Sequence, residues 1–211
     1  MKKILFVLAH MDDEIYHAGT ISKLREQGHK VYLFTVCGQG RLDDEQYKKR
    51  FNAYDKVVKL LFDEYKSLNL YDLTLTQKDE KLIKHNLGNF IYSYDIDTVY
   101  THFKHDLHDD HKLVSKCVRT ECRPATSKVC ELYECYTPGS TEYGGNFNIN
   151  EWTEFIDINK YLTLKVDIMN LYNIELKGAN TVDSTLDCNS YFARLYNQTY
   201  TEIFKCIYRK G

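Results

Sequence analysis

Two short segments of this 211-residue chain gather side chains that can bind a metal and move a proton. The first is Ala9-His10-Met11-Asp12-Asp13-Glu14. A tight turn from a strand into a helix would aim His10 and Asp13, three residues apart, into one cleft. Asp12 and Asp13 are adjacent carboxylates. At a buried strand end they repel each other, and a helix N-terminus can hold about one of them, so keeping both ionised calls for a cation. The second segment, 102–114, carries four of the eight histidines, His102, His105, His108 and His111, together with Asp106, Asp109 and Asp110. Imidazole and carboxylate together suit zinc, with Fe2+ as the second candidate. Two histidines and one carboxylate leave a coordination position open for water, the mark of a catalytic rather than a structural zinc. Taken singly, each segment has an ordinary reading, an acidic first turn of a helix and a solvated His/Asp loop.

The elements around these segments decide whether they meet. Residues 3–9 form a continuous apolar run, which is how a strand buried on both faces reads. Ile15, Ala18, Ile21 and Leu24 share a helical face over 13–27, with Gly28 as the stop. A second buried strand is predicted at 30–36, a long helix at 43–65, a helix at 77–93 and a strand at 97–102. A helix near 110–122 and a strand at 129–136 follow. The last third is less regular, with helices at 157–176 and 189–198 and a closing strand at 203–208. Alternating strands and helices imply an α/β fold, a Rossmann-like, mostly parallel sheet with helices on both faces, and a single domain over 1–211. Open sheets of this kind bind ligands outside the carboxyl ends of their strands. Residues 10–14, Cys37–Arg41 and His102–His111 all fall there.

Composition narrows the classes of partner. Hydrophobic residues are 43%, charged residues 27% and the formal net charge is −2. No basic block marks a nucleic-acid surface, and no apolar run reaches the roughly 18 residues that cross a bilayer. The opening MKKILFVLAH resembles the front of a signal peptide but runs directly into Met-Asp-Asp-Glu without a small-residue cleavage site, so it reads as a strand and the expected compartment is the cytoplasm. Seven cysteines without a CxxC pair read as reduced, mostly buried thiols.

AHMDDE at 9–14 and DLHDDH at 106–111 resemble the two signatures of the PIG-L/LmbE-like N-acetylglucosaminyl deacetylases. Arg50, Arg123-Pro124, the stretch Glu134 to Thr141, Val166 to Tyr172 and the tail Tyr200 to Phe204 are weaker matches. The resemblance implies zinc held by His10, Asp13 and His111, with Asp12 as general base. It implies His108 as oxyanion stabiliser or acid for the leaving amine, Asp110 as the group orienting the His108 ring, and a small N-acetylated amino-sugar conjugate as substrate. Arg50 would grip a substrate oxygen or phosphate and Asp72 a sugar hydroxyl; a surface charge on the helix is the competing reading of Arg50. An acyl transfer from nitrogen needs a nucleophile, an oxyanion stabiliser and an acid, and these residues can supply them.

Three features depart from the family pattern. Met11 stands where a proline would stiffen the turn. Tyr16-His17-Ala18-Gly19 replaces a glycine-rich stretch, so Tyr16 and His17 are expected to reshape the pocket floor, with His17 more simply a buried helix residue. Cys37-Gly38-Gln39-Gly40-Arg41 replaces a loop usually carrying threonine or aspartate, and places Cys37 near the metal as a bystander. His102 ends its strand close enough to touch a substrate. The alternatives are a zinc hydrolase of a non-sugar N-acyl amide, a metal-binding pseudo-enzyme of the same fold, and a nucleotide-binding module. The last is disfavoured because carboxylates at the first strand–helix turn would repel phosphate.

Overall fold

The computed structural model describes residues 1–40, 44–172 and 181–210; Arg41 and the end of the helix expected at 157–176 lie outside them. At its centre is β1 (Lys3–Leu8), whose apolar run alternates between the two faces of a sheet. Ile4, Phe6 and Leu8 face one core cluster, while Leu5, Val7 and Ala9 face the other. Helix α1 (Ala18–Glu26), α2 (Asp44–Leu61) and α5 (Leu162–Leu171) supply the first cluster through residues such as Ile21, Val57 and Ile168. Helices α3 (Glu80–Tyr94) and α4 (Asp109–Glu121) supply the second through Leu87, Phe90, Val114 and Val118. Burial on both faces is therefore what the unbroken hydrophobicity of β1 encodes.

β1 pairs in parallel with β2 (Lys30–Gln39) on one side and with β4 (Thr98–His102) on the other. β3 (Glu64–Tyr71) extends the sheet beyond β2, and β5 (Glu131–Cys135) extends it beyond β4, both in parallel. Two antiparallel strands close the far side, giving the order β3-β2-β1-β4-β5-β7-β6, with β6 at Glu154–Asp157 and β7 at Thr201–Arg209. Helix α6 (Val182–Arg194) packs on this antiparallel edge. Strand order reverses between β1 and β4, and a crevice opens outside their carboxyl ends. The expected α/β architecture, mostly parallel with helices on both faces, is the observed one.

Three element assignments are corrected. The long helix expected to 65 ends at Leu61, and β3 follows at once. This outer strand is half-exposed, with polar residues at half of its positions, so no buried apolar run marks it. The helix expected from 157 begins at Leu162, after β6 and a short 3-10 turn at Asn159–Tyr161. The last helix lies earlier than expected, at Val182–Arg194. No helix among the described residues is long and apolar enough to cross a membrane.

Candidate active site

β1 ends at Leu8, and the chain turns through a 3-10 segment at Asp13–His17 before α1 begins. The His10 N–H donates to Asp13 Oδ2 at 2.7 Å, which folds the turn back on itself. The turn is bolted from the far end of the sequence. Glu202 on β7 accepts the Gly19 and Thr20 N–H groups at 3.1 and 2.8 Å. Lys165 on α5 bridges Glu202 and the Tyr16 carbonyl, each at 2.6 Å, and both side chains are buried. Gly19 permits this approach, since a Cβ there would lie 2.7 Å from Ile158. Neither Glu202 nor Lys165 carries a signal in the residue pattern; both lie in or beside stretches only weakly similar to the family.

The second segment leaves β4 and enters α4. His108 is the residue before the helix, and its Nδ1 accepts the Asp110 N–H at 3.2 Å. Asp106 is buried and acts as a hub. Its carboxylate meets His111 Nδ1 at 3.1 Å, accepts the His108 N–H at 2.9 Å and the Thr141 hydroxyl at 2.9 Å, and is also bonded by Ser140. These bonds, working against burial, bring its pKa down to about 2. Gly144 allows the 137–144 loop to press on this segment, because a Cβ there would collide with the His105 and Asp106 backbone. The residue pattern places Asp106 in the cluster without assigning it this task.

The two segments meet in a cleft of about 610 Å³, lined by His10, Asp12, Asp13, His108, Asp110 and His111, with Tyr16, Arg50 and Asp72 also on its wall. Asp110 Oδ2 lies 3.1 Å from His10 Nε2 and accepts the Leu73 N–H at 2.7 Å. When the rings are neutral, as metal binding requires, the two carboxylates take the ring protons of His10 Nε2 and His111 Nδ1, which leaves lone pairs on His10 Nδ1 and His111 Nε2. Those two nitrogens stand 3.3 Å apart. Asp13 Oδ2 lies 3.4 Å from the first and Asp13 Oδ1 3.5 Å from the second. Atoms about 2.0–2.1 Å from a tetrahedral zinc stand about 3.3 Å from one another, which is the spacing of the two imidazole nitrogens, and the Asp13 carboxylate turns one oxygen towards each of them.

Electrostatics agree with a site shaped for positive charge. Burial pulls His10 and His111 down, but the Asp13 charge and the carboxylate hydrogen bonds outweigh it and raise them to about 10 and about 9. Asp13 is held well below the usual carboxylate range, since the charges of His111, His102 and His10 overcome its burial. Burial and the charge of Asp13 push Asp12 upward, with Arg50 opposing. Burial lowers His108, and the charges of His111 and His10 lower it further.

Several expectations change here. The Asp110 carboxylate meets His10, and it is the Asp110 main-chain N–H that meets the His108 ring. The earlier role for Asp110, orienting His108 through its carboxylate, is therefore corrected. His102 is fully buried, stacks on His111 at 3.8 Å between ring centroids and accepts the Ala9 N–H at 2.8 Å, so it lies behind the cleft rather than on its wall. His17 is buried against Phe6 and Phe204, whereas Tyr16 does line the cleft. Arg50 sits in the cleft, 3.7 Å from Asp72, and is not a plain surface charge. Cys37 is buried, with its Sγ 3.8 Å from the Tyr71 carbonyl and close to His10 and Asp110. Burial and the surrounding carboxylates push its thiol far up, which fits an inert neighbour.

The model of one protein family, GlcNAc-PI de-N-acetylase (PIG-L), matches residues 5–122. The chain belongs to the PIG-L family. The match contains both segments of the cleft. No curated protein sequence matches the chain. Solved structures share the PIG-L-like architecture at low identity. N,N'-diacetylchitobiose deacetylase from Pyrococcus horikoshii is 16% identical with a TM-score of 0.78, over 98% of this chain and 84% of that one. A teicoplanin deacetylase in a zinc-inhibited form is 11% identical with a TM-score of 0.76, over 100% and 99% of the two chains. The 4-carboxy-2-hydroxymuconate hydratase of Pseudomonas putida KT2440 is 16% identical with a TM-score of 0.72, over 100% and 98%. Identities this low carry the fold, and the hydratase shows that the same fold hosts other chemistry.

Proposed function

We propose that this single-domain chain is a zinc-dependent hydrolase that removes the acetyl group from an N-acetylated amino sugar held in a small-molecule conjugate. The observation that carries the reading is the pair of facing ring nitrogens on His10 and His111, 3.3 Å apart and closed on one side by Asp13. These three residues would hold the ion, with Fe2+ as the second candidate. When bound, the ion supplies Lewis acidity, which eases deprotonation of water and polarises a carbonyl.

The remaining work falls to the chain itself. Asp12 lines the cleft with its pKa raised, and takes the proton of the attacking water. Because His108 Nδ1 accepts the Asp110 N–H, its neutral ring carries the proton on Nε2. That N–H would donate a hydrogen bond to the oxygen that becomes negative as water adds to the acetamide. Collapse of the adduct breaks the C–N bond as the protonated Asp12 passes the proton it took from water to the departing nitrogen, giving the free amine and acetic acid, which ionises to acetate. Asp110 fixes the His10 ring and Asp106 the His111 ring. Arg50 and Asp72, both on the cleft wall, would grip sugar oxygens, and Asp72 Oδ1 has no hydrogen-bond partner among the described residues. Free thiols at all seven cysteines support a reducing, cytoplasmic compartment.

The test is acetate release from a panel of N-acetylated sugars set against N-acetyl amino acids, with zinc-loaded and metal-stripped protein. Release from the sugars by the loaded protein is expected. Release from the amino acids alone would move the substrate to a non-sugar amide, and release from neither would leave a metal-binding protein without this activity.

A further inference from the structure

The cleft has apolar lining that hydrolysis of the amide does not use. Leu73 and Leu107 both line it, and they are 54% and 56% exposed. Scattered single leucines at a surface need no explanation, but two converging on the mouth of one polar cleft do. Leu75 and Pro138 continue the same lining.

Leu73 is also held in a demanding conformation. Its φ is +57°, in the left-handed region that a leucine rarely enters because its Cβ crowds the backbone. Its N–H is anchored at 2.7 Å to Asp110 Oδ2, the oxygen that also holds His10. The carboxylate that orients the His10 ring therefore also fixes the turn bearing this exposed leucine. Backbone strain of this kind persists where the surrounding structure holds it, and it concentrates at binding sites. Arg50 and Asp72, the residue next to Leu73, present charge in the same cleft. The cleft thus joins charged and apolar lining.

We propose that Leu73 and Leu107 determine specificity by receiving an apolar alkyl or aryl group on the amine side of the substrate, so that the substrate is an N-acetyl amino sugar bearing an apolar aglycone. This rests on the deacetylase reading above. The leucines are more than half exposed and so stand at the outer rim. The part of the substrate that reaches solvent meets them, and the short acetyl group at the ion does not.

The experiment compares kcat/KM for the methyl and n-butyl glycosides of N-acetylglucosamine, read as acetate released by the zinc-loaded full chain. Three further methylenes, partly covered, should favour the butyl glycoside by about tenfold. Leu73→Ser and Leu107→Ser should each pull that ratio towards one, and Leu171→Ser, an exposed leucine on α5, should leave it in place. Equal kcat/KM for the two glycosides would overturn the proposal while leaving the deacetylase reading intact. A preference for an N-butanoyl methyl glycoside over its N-acetyl counterpart would also overturn it, by placing the apolar side on the acyl group. If neither glycoside releases acetate, the deacetylase reading fails. Calorimetry of the two glycosides with the same protein then decides, and tighter butyl binding that the two serine variants abolish sustains the apolar wall, while equal or absent binding overturns it.

Discussion

His10 Nδ1 faces His111 Nε2 across 3.3 Å, and the other ring nitrogen of each is directed at a carboxylate, Asp110 for His10 and Asp106 for His111. The nearby Asp13 adds negative charge, and without a metal the two rings are raised to about 10 and about 9, so protons supply the positive charge the pocket calls for. A metal ion would take the place of those protons. The separation of tasks within the cleft follows from this one contact.

Asp12 and Asp13 are neighbours in sequence with different surroundings. Three imidazoles hold Asp13 ionised, while Asp12 faces the cleft with its pKa pushed up. Asp12→Asn should therefore keep the metal and lower kcat by about 10²–10⁴-fold. Elemental analysis alongside steady-state kinetics checks this; loss of bound metal in the variant would show that Asp12 is a ligand.

Asp106 is not one of the three proposed ligands, yet it receives His111 Nδ1, the His108 N–H and two hydroxyls from the 137–141 loop. Asp106→Ala should weaken metal affinity by about 10–100-fold, by freeing the ring that must present Nε2. Competition against a chelating dye measures it, and unchanged affinity would remove Asp106 from the account.

Glu14 is a buried carboxyl one residue beyond Asp13, bonded at 2.5 Å by the Tyr172 hydroxyl. Burial outweighs that bond and raises its pKa to about 8. A carboxyl raised in the folded state contributes stability that is complete below its unfolded pKa and disappears as pH climbs through the folded one. Glu14→Gln cannot ionise, so its stability relative to the parent should rise by about 1.4 kcal/mol per pH unit between roughly pH 4.5 and 8. Denaturant unfolding of both metal-free proteins across that window reads the slope, and a pH-independent difference would contradict it.

Lys165 and Glu202 form a fully buried pair that ties the turn after β1 to α5 and β7. Lys165→Met leaves the Glu202 charge without its partner and should cost about 3–5 kcal/mol in urea unfolding. A loss below about 1 kcal/mol would show that the pair does not hold the turn.

Much of this arrangement is legible in the residues. The apolar run of β1, the alternation of strands and helices, and the two polar segments at strand ends suffice to bring His10, Asp12, Asp13, His108 and His111 together. β3 is not legible, because an outer strand of mixed polarity such as Glu64–Tyr71 lacks both the continuous apolar run and a clean alternation. The partner of Asp110 is not legible either, since sequence proximity favours His108, while the tertiary turn of α4 swings the carboxylate to His10. Long-range ties such as Glu202 to Gly19 span 183 residues and leave no local pattern.

The measurement that bears most directly on the central claim is acetate release from N-acetylglucosamine conjugates as zinc is added back to the stripped protein. Activity absent without metal and rising to a plateau at about one zinc per chain is the expected result, with His111→Ala binding far less zinc. Turnover that is independent of added metal, or a protein that takes up no zinc at the His10–Asp13–His111 cluster, would contradict it.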